Sequence, residues 1–379
     1  MTIYLDNAAT TRVAPEVAAV VQACMRDDFG NPSSAHAAGI AAGKRIARAR
    51  AALLAAVGDP DAEVGDVYWT SGGTEADAIG VIGAARARAR RGKHMLCSAI
   101  EHPAVLESMA LLERDGWTFD TIPVGPRGAV DVQRVVDMVT DETSVIALML
   151  VNNEIGTINP VREAVRAAKS QRAGIHVHCD AVQALGKVPI DADALGVDSL
   201  AMSSHKLHGP KGVGALWLRK GARIDPLWAG GGQQRGVRSG TENVPGIAGF
   251  GEATRLAHAA LGEHTARWTA MGETLLAMLR DAGAGAEQNC ADSPRAPHIV
   301  SIGLRGAPGE PLLHALEGRG VLVSAGSACA SKHRGPSHVL QAIHLPDDVG
   351  TLRISFGRDT TLDDVQRAAQ TLIDVLAEL

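Results

Sequence analysis

Residues Ser203-Ser204-His205-Lys206-Leu207-His208-Gly209-Pro210-Lys211-Gly212 set a lysine inside a Ser/His/Gly cluster, 26 positions after Asp180-Ala181-Val182-Gln183. A lysine amine that holds an aldehyde as a Schiff base, a carboxylate that keeps a pyridine nitrogen protonated, and hydroxyl or imidazole donors for a phosphate are the requirements of pyridoxal phosphate (PLP) chemistry. All three residue types stand here, with Lys206 as the Schiff-base candidate and Lys211 as its local competitor. Asp180 is the candidate partner of the pyridine nitrogen. A second cluster, Ser324-Ala325-Gly326-Ser327-Ala328-Cys329-Ala330-Ser331, surrounds one cysteine with small residues, a composition suited to a loop that carries a thiol to a substrate. Lysine and loop cysteine together point to sulfur chemistry.

Further segments carry groups of the same kind. Thr70-Ser71-Gly72-Gly73-Thr74-Glu75-Ala76 follows a strand pattern and opens a helix, so backbone N–H groups at Gly73 and Thr74 suit an anion; an N-cap at Thr74 with no ligand is the alternative. His102, in Glu101-His102-Pro103, sits where an imidazole would stack on a planar ring and shuttle protons. Asn153, in Asn152-Asn153-Glu154-Ile155-Gly156, ends another strand pattern, where an amide could donate to a cofactor hydroxyl or a substrate carboxylate or equally serve as a capping or turn residue. Arg353 interrupts the apolar run Leu352-Arg353-Ile354-Ser355-Phe356 and offers the fork that grips a carboxylate; a structural ion pair is its alternative. Arg235–Asn243, after Gly230-Gly231-Gly232, is rich in anion donors. His176 and His178 share one face of a strand with Asp180, which leaves a metal site as a rival reading.

These residues need a scaffold. Apolar runs at Asp66–Thr70, His94–Ala99, Val145–Val151, Ile175–Cys179, Ser199–Ser203 and Val213–Leu218 alternate with helical patterns at Pro103–Arg114, Asp131–Val139 and Val161–Arg172. Such alternation predicts an α/β fold with a mostly parallel sheet, covered on both faces, whose ligand site lies at the carboxyl ends of the strands. Helical stretches are expected at 34–57 and, as one long element, at 245–282. A strand at His298–Leu304, another at Thr351–Phe356 and a helix at Thr361–Leu379 make a second, smaller α+β domain. The expected division is residues 14–260 for the large PLP-binding domain, with 1–13 and 261–379 forming the small domain that carries the cysteine loop.

The chain has 379 residues, 46% hydrophobic and 21% charged, with a formal net charge of −5. That balance suits a soluble two-domain protein and gives no reason to expect nucleic acid or an anionic membrane as partner. No apolar run approaches the ~20 residues of a membrane span, and Met1-Thr2-Ile3-Tyr4-Leu5-Asp6 lacks the basic start of a secretion signal, so a cytoplasmic location is expected. The cysteines Cys24, Cys97, Cys179, Cys290 and Cys329 are scattered without a Cys-x-x-Cys pair, which fits a reducing compartment; Cys24, Cys97 and Cys179 read as buried thiols.

Taken in order, Asp6-Asn7-Ala8-Ala9-Thr10-Thr11, Gly30-Asn31-Pro32-Ser33-Ser34-Ala35-His36, Ser71–Asp77, Glu101-His102-Pro103, Asn152–Gly156, Ser203–Gly212, Arg238-Ser239-Gly240-Thr241, Ser327-Ala328-Cys329 and Leu352-Arg353-Ile354-Ser355 resemble the NifS/IscS-type cysteine desulfurases, collinearly from about residue 3 to residue 360. The resemblance implies a homodimeric PLP enzyme of fold type I, with a large domain built on a seven-stranded-type sheet, which converts L-cysteine to L-alanine and an enzyme persulfide. Its sulfur would go to an iron–sulfur scaffold or another acceptor protein. By the same motifs, Lys206 would hold PLP, Asp180 the pyridine nitrogen, Gln183 and Asn153 the ring-hydroxyl side, and His102 the ring face. Gly73, Thr74, Ser203, Ser204 and His205 would bind phosphate, with Thr241 reaching in from a second subunit. Arg353 with Asn153 would grip the substrate carboxylate. Cys329 would be the nucleophile and the one residue in transient contact with an iron–sulfur cluster, and positive charge on Lys332, His333 and Arg334 would favour its thiolate. Three features depart from the family pattern: Ala78 replaces the usual asparagine, Lys332-His333-Arg334-Gly335 replaces an uncharged or acidic segment, and Leu379 ends the chain without the long tail of housekeeping members.

Overall fold

A computed structural model describes residues 2–307, 309–325, 337–346 and 348–378. Its strands are β1 (Ile3–Tyr4), β2 (Gly65–Thr70), β3 (His94–Ser98), β4 (Thr118–Ile122), β5 (Thr143–Ala147), β6 (His176–Asp180), β7 (Ser199–Ser203), β8 (Gly214–Arg219), β9 (Ala286–Gln288), β10 (Ile299–Arg305), β11 (Val321–Leu322) and β12 (Val349–Ser355). Seven of them form one sheet in the order β2-β8-β7-β6-β5-β3-β4. β3, β4, β5, β6 and β7 pair in parallel, while β8 runs antiparallel to both β2 and β7. Every residue of β3, β5, β6 and β7 is buried, as strands covered on both faces must be. This is the α/β arrangement of fold type I.

A second core gathers Leu5, Trp268, Leu275, Ile302, Leu316, Phe356 and Leu372 around the antiparallel sheet β12-β10-β9 and the parallel pair β1-β11. The N-terminal strand therefore belongs with the C-terminal elements. Asp6 bridges Ser355, and Leu5 accepts from the Ser355 N–H at 2.7 Å.

Four local expectations change. The expected helix 245–282 is two, Val244–Ala259 and Leu261–Asp281, with Ala260 ending one and beginning the next. β4 was not expected: its sequence, TFDTI, exposes Thr118, Asp120 and Thr121 at a sheet edge, so it lacks the continuous apolar run of its neighbours. The run Val145–Val151 forms a strand only to Ala147. Beyond it the chain leaves the ladder, and Val151 pairs instead with Ile158. The helix after Gly72 contains a π-type turn, Ile79–Gly83, where Gly80 lies so close to His178 that a methyl group there would meet Nδ1 at 2.2 Å.

Helix Val244–Ala259 packs closely on helix Ala37–Ala56. A methyl on Gly251 would lie 2.4 Å from Ala49 Cα, which only backbone movement relieves. Gly251→Ala is therefore expected to destabilise by about 1–3 kcal/mol. Gly262→Ala, where no atom lies within 4 Å, should instead stabilise by roughly 0.4–1 kcal/mol by restricting the unfolded chain. Thermal melting of the two variants should give shifts of opposite sign.

Candidate active site

At the carboxyl edge of the large sheet the loops after β2, β3, β5, β6 and β7 enclose a cavity of about 250 Å³. Gly73, Thr74, His102, Asn153, Asp180, Gln183, Ser203, His205, Lys206 and Arg353 all line it. Ser204 does not: its side chain is fully buried, and its hydroxyl lies where a methyl on Gly209 would be 2.0 Å away. Thr241 is exposed and lies outside the lining of this cavity. Cys329, Lys332, His333 and Arg334 lie outside the described residues.

Lys206 follows β7 in a single 3-10 turn, Ser204–Lys206, and its Nζ donates to the carbonyls of Ala8 and Ala9, each at 2.7 Å. Gln183 Nε2 donates to the same Ala8 carbonyl at 2.8 Å. The N-terminal segment thus forms one wall of the cavity.

Asp180 ends β6. Burial lifts its carboxyl to about 6, against the Val182 N–H, which donates to Oδ1 at 2.8 Å, and the charge of Lys206. No salt bridge reaches Asp180 among the described residues, so a cation placed in the cavity would find an unneutralised partner. Asp77 also lines the cavity, and burial together with Asp180 raises it far above the usual carboxylate range. Asp77 Oδ1 meets His178 Nε2 at 3.1 Å, and Ser199 Oγ lies 2.8 Å from both His178 Nδ1 and His176 Nε2. The histidine pair of β6 therefore shares a serine hydroxyl instead of chelating a metal with Asp180, and Asp77 and Ser199 are the partners that β-strand periodicity alone did not reveal.

His102 caps helix Pro103–Glu113, its Nδ1 accepting from the Ala104 N–H at 3.1 Å. Burial, then the charge of Lys206, lowers it to about 4, so the ring is neutral with its proton on Nε2. His205 is lowered to about 4 for the same two reasons, and its Nδ1 lies 3.1 Å from Thr10 Oγ1.

Arg353 is 2% exposed. It donates through Nη1 to the Asn153 carbonyl at 2.8 Å and through Nη2 to Asp6 Oδ1 at 2.7 Å, while Nε is buried without a partner. Asp6 stands inside a motif quoted from the sequence, but its pairing with a residue 347 positions away was not legible there. Asn152, beside Asn153, is structural: it donates to the Ile100 carbonyl at 2.9 Å and accepts from the N–H groups of Glu154 and Ile155.

The donor set fits PLP. Ser203 Oγ is buried with no hydrogen-bond partner, beside the opening turn of helix Gly73–Ala78, whose N–H groups suit a phosphate. Gly72 and Gly214 approach so closely that a methyl on Gly214 would lie 2.5 Å from the Gly72 carbonyl carbon, which keeps this wall bare of side chains. Asp180 supplies the buried carboxylate and Lys206 the amine.

Glu101 lies beneath the cavity, bonded to Ser98 Oγ and accepting from the Met149 N–H at 2.8 Å, with Oε2 unpartnered. Burial raises it to about 8 from 4.5. The folded protein therefore keeps a proton that the unfolded chain releases; the resulting stability is complete below pH 4.5 and declines as pH rises toward 8. Glu101→Gln cannot ionise, so the melting-temperature advantage of the variant over the parent is expected to be larger at pH 8 than at pH 5.

The family model for aminotransferase class-V matches residues 3–368. The chain is 41% identical over 379 residues to the cysteine desulfurase IscS of Methanosarcina thermophila, covering 100% of this chain and 92% of that protein. The solved structure of a NifS-like protein superposes with a TM-score of 0.92 at 34% identity, covering 100% of both chains. SspA, solved in complex with cysteine, superposes with a TM-score of 0.81 at 30% identity, covering 95% of this chain and 100% of that one. With this cavity, this sheet and these relatives, the chain belongs to the aminotransferase class-V family.

Proposed function

We propose that the protein is a PLP-dependent cysteine desulfurase that converts L-cysteine to L-alanine and leaves the sulfur as a persulfide on Cys329, for iron–sulfur cluster assembly or another thio-cofactor synthesis. The observation that carries this reading is the convergence of Lys206, Asp180, His102, Ser203 and Arg353 on one cavity of about 250 Å³. Bound PLP supplies an electron sink that acidifies an amino acid's Cα–H and loosens its C–S bond. The protein's own groups do the rest. Lys206 would hold the cofactor and would be the base that takes the Cα proton and returns it. Asp180 would fix the charge of the ring nitrogen, and neutral His102 would cover the ring face without adding a second positive charge. Gly73, Thr74 and Ser203 hold the phosphate, with Thr241 of a second subunit, which makes the working form a homodimer. Arg353, oriented by Asp6 and the Asn153 carbonyl, takes the substrate carboxylate. As the C–S bond breaks, its electron pair stays with carbon, which is protonated to alanine, and the Cys329 thiolate accepts sulfur as Cys–S–SH.

The placement of described residues on either side of the cysteine segment supports this. Ser324 bridges Arg353 at the cavity, and Ser337 Oγ donates to Glu154 Oε2 at 2.7 Å, next to Asn153. The second core supports a division at residues 14–260 and 1–13 with 261–379, although Ala296, Val339 and Ile343 pack into the large core. Among the described residues no helix is long and apolar enough to cross a membrane, which is compatible with a cytoplasmic location.

Incubating the holoprotein with L-cysteine should yield alanine and one persulfide per alanine before turnover. Lys206→Ala is expected to slow alanine formation more than about 100-fold. Arg353→Gln should raise the KM for cysteine about 10- to 100-fold, the loss of a charge-assisted pair. Cys329→Ala should keep the cofactor's colour and lose the persulfide; alanine formation at the parental rate in that variant would indicate a selenocysteine lyase instead, and a 2-oxo acid in place of alanine an aminotransferase.

A further inference from the structure

Behind the candidate active site lies a second cavity of about 130 Å³, walled mostly by Val17, Leu207, Ala253, Leu256 and Ala257. Lys187 also lines it. The residue is 3% exposed, and among the described residues its ammonium makes no hydrogen bond and no ion pair; the Trp268 ring lies 5.2 Å from Nζ. A buried ammonium without an acceptor is costly, and a cation–π contact offsets only part of that cost. Burial, with a smaller contribution from Lys206, lowers Lys187 to about 7.

Of the other polar groups around the cavity, Arg358 and His208 are already engaged, while the His264 ring lies 5.0 Å from that of Trp268. Arg358 is forked onto Glu16 at 3.1 and 3.3 Å. His208 has Nδ1 2.9 Å from the Arg12 carbonyl and accepts at Nε2 from the Arg358 N–H at 3.1 Å, so its ring is neutral. No aspartate or glutamate lines the cavity. An amino acid would therefore leave its own ammonium unpaired, and a dianion would exceed the single available cation.

We propose that this cavity binds a short aliphatic monocarboxylate, its carboxylate on Lys187 Nζ and its alkyl end against Val17, Leu256 and Ala257. The size agrees: an apolar cavity of about 150 Å³ admits a six-carbon ring, and butyrate has the same number of heavy atoms. The site lies on both sides of the division between the two cores, since Lys187 follows β6 and Trp268 belongs to helix Leu261–Asp281. A chain of contacts joins it to the catalytic cavity. The Trp268 ring lies 5.8 Å from that of His298, whose Nε2 is 3.5 Å from Gln183 Oε1.

Titration calorimetry of the holoprotein with sodium butyrate tests this. Saturable binding of one butyrate per chain is expected, with butyramide, the neutral analogue, at least about tenfold weaker. Lys187→Met should weaken butyrate by about tenfold or more. Leu256→Trp, which fills the cavity and keeps the lysine, should abolish binding and stands in for Lys187→Met if that variant fails to fold. Saturating L-alanine, which would occupy the catalytic cavity, should leave butyrate binding unchanged. The proposal is overturned by absence of saturable binding, by unaltered binding in Leu256→Trp or in folded Lys187→Met, or by displacement of butyrate by L-alanine, which would place it in the catalytic cavity.

Discussion

A guanidinium that is almost wholly buried must find acceptors, and Arg353 finds them in parts of the chain that are far apart in sequence: Asp6 near the N-terminus and the carbonyl of Asn153 after β5. Removing one partner of such a pair costs about 3–5 kcal/mol, because the other charge is left buried. The pair therefore fixes how the small sheet, through β12, meets the large one. The same N-terminal segment that supplies Asp6 supplies the Ala8 and Ala9 carbonyls that hold Lys206. One ion pair thus positions the substrate-side arginine and, through two residues of backbone, the lysine.

Around this anchor the interior keeps its titratable groups close to neutral. Asp77, Asp180 and Glu101 are raised, and His102, His176, His178 and His205 are lowered, with burial the first cause in every case. Such a site has a low dielectric and few mobile counter-charges, so an introduced charge is felt strongly. A cationic ring nitrogen beside Asp180 and a phosphate beside Ser203 and the Gly73 turn would each meet a complementary group that the protein itself leaves unsatisfied.

The parallel strands were legible because their residues are buried on both faces, which writes a continuous apolar run into the chain. β4 was not legible, since exposed Thr118, Asp120 and Thr121 break that run, and Gly262, two residues past the break at Ala260, lies inside the second helix and so does not mark it. The loop residues Gly73, His102, Asn153, Asp180, Ser203 and Lys206 were legible as candidates because chemistry in such a sheet belongs after the strands. The Asp77–His178–Ser199–His176 network was not, because it joins a helix to two strands through side chains with no common spacing.

Sequence alone determined the chemistry available: an amine, a buried-strand carboxylate, phosphate donors, an arginine and a thiol in an order that matches one family, because residue type and local period survive in the chain as written. Only the tertiary structure decided which of these groups share a cavity, that Ser204 turns away from it, that Asp6 belongs to Arg353, and that Lys187 faces a separate apolar chamber. Those facts depend on long-range packing, and a contact between residues hundreds of positions apart leaves no periodic trace in either one's neighbourhood.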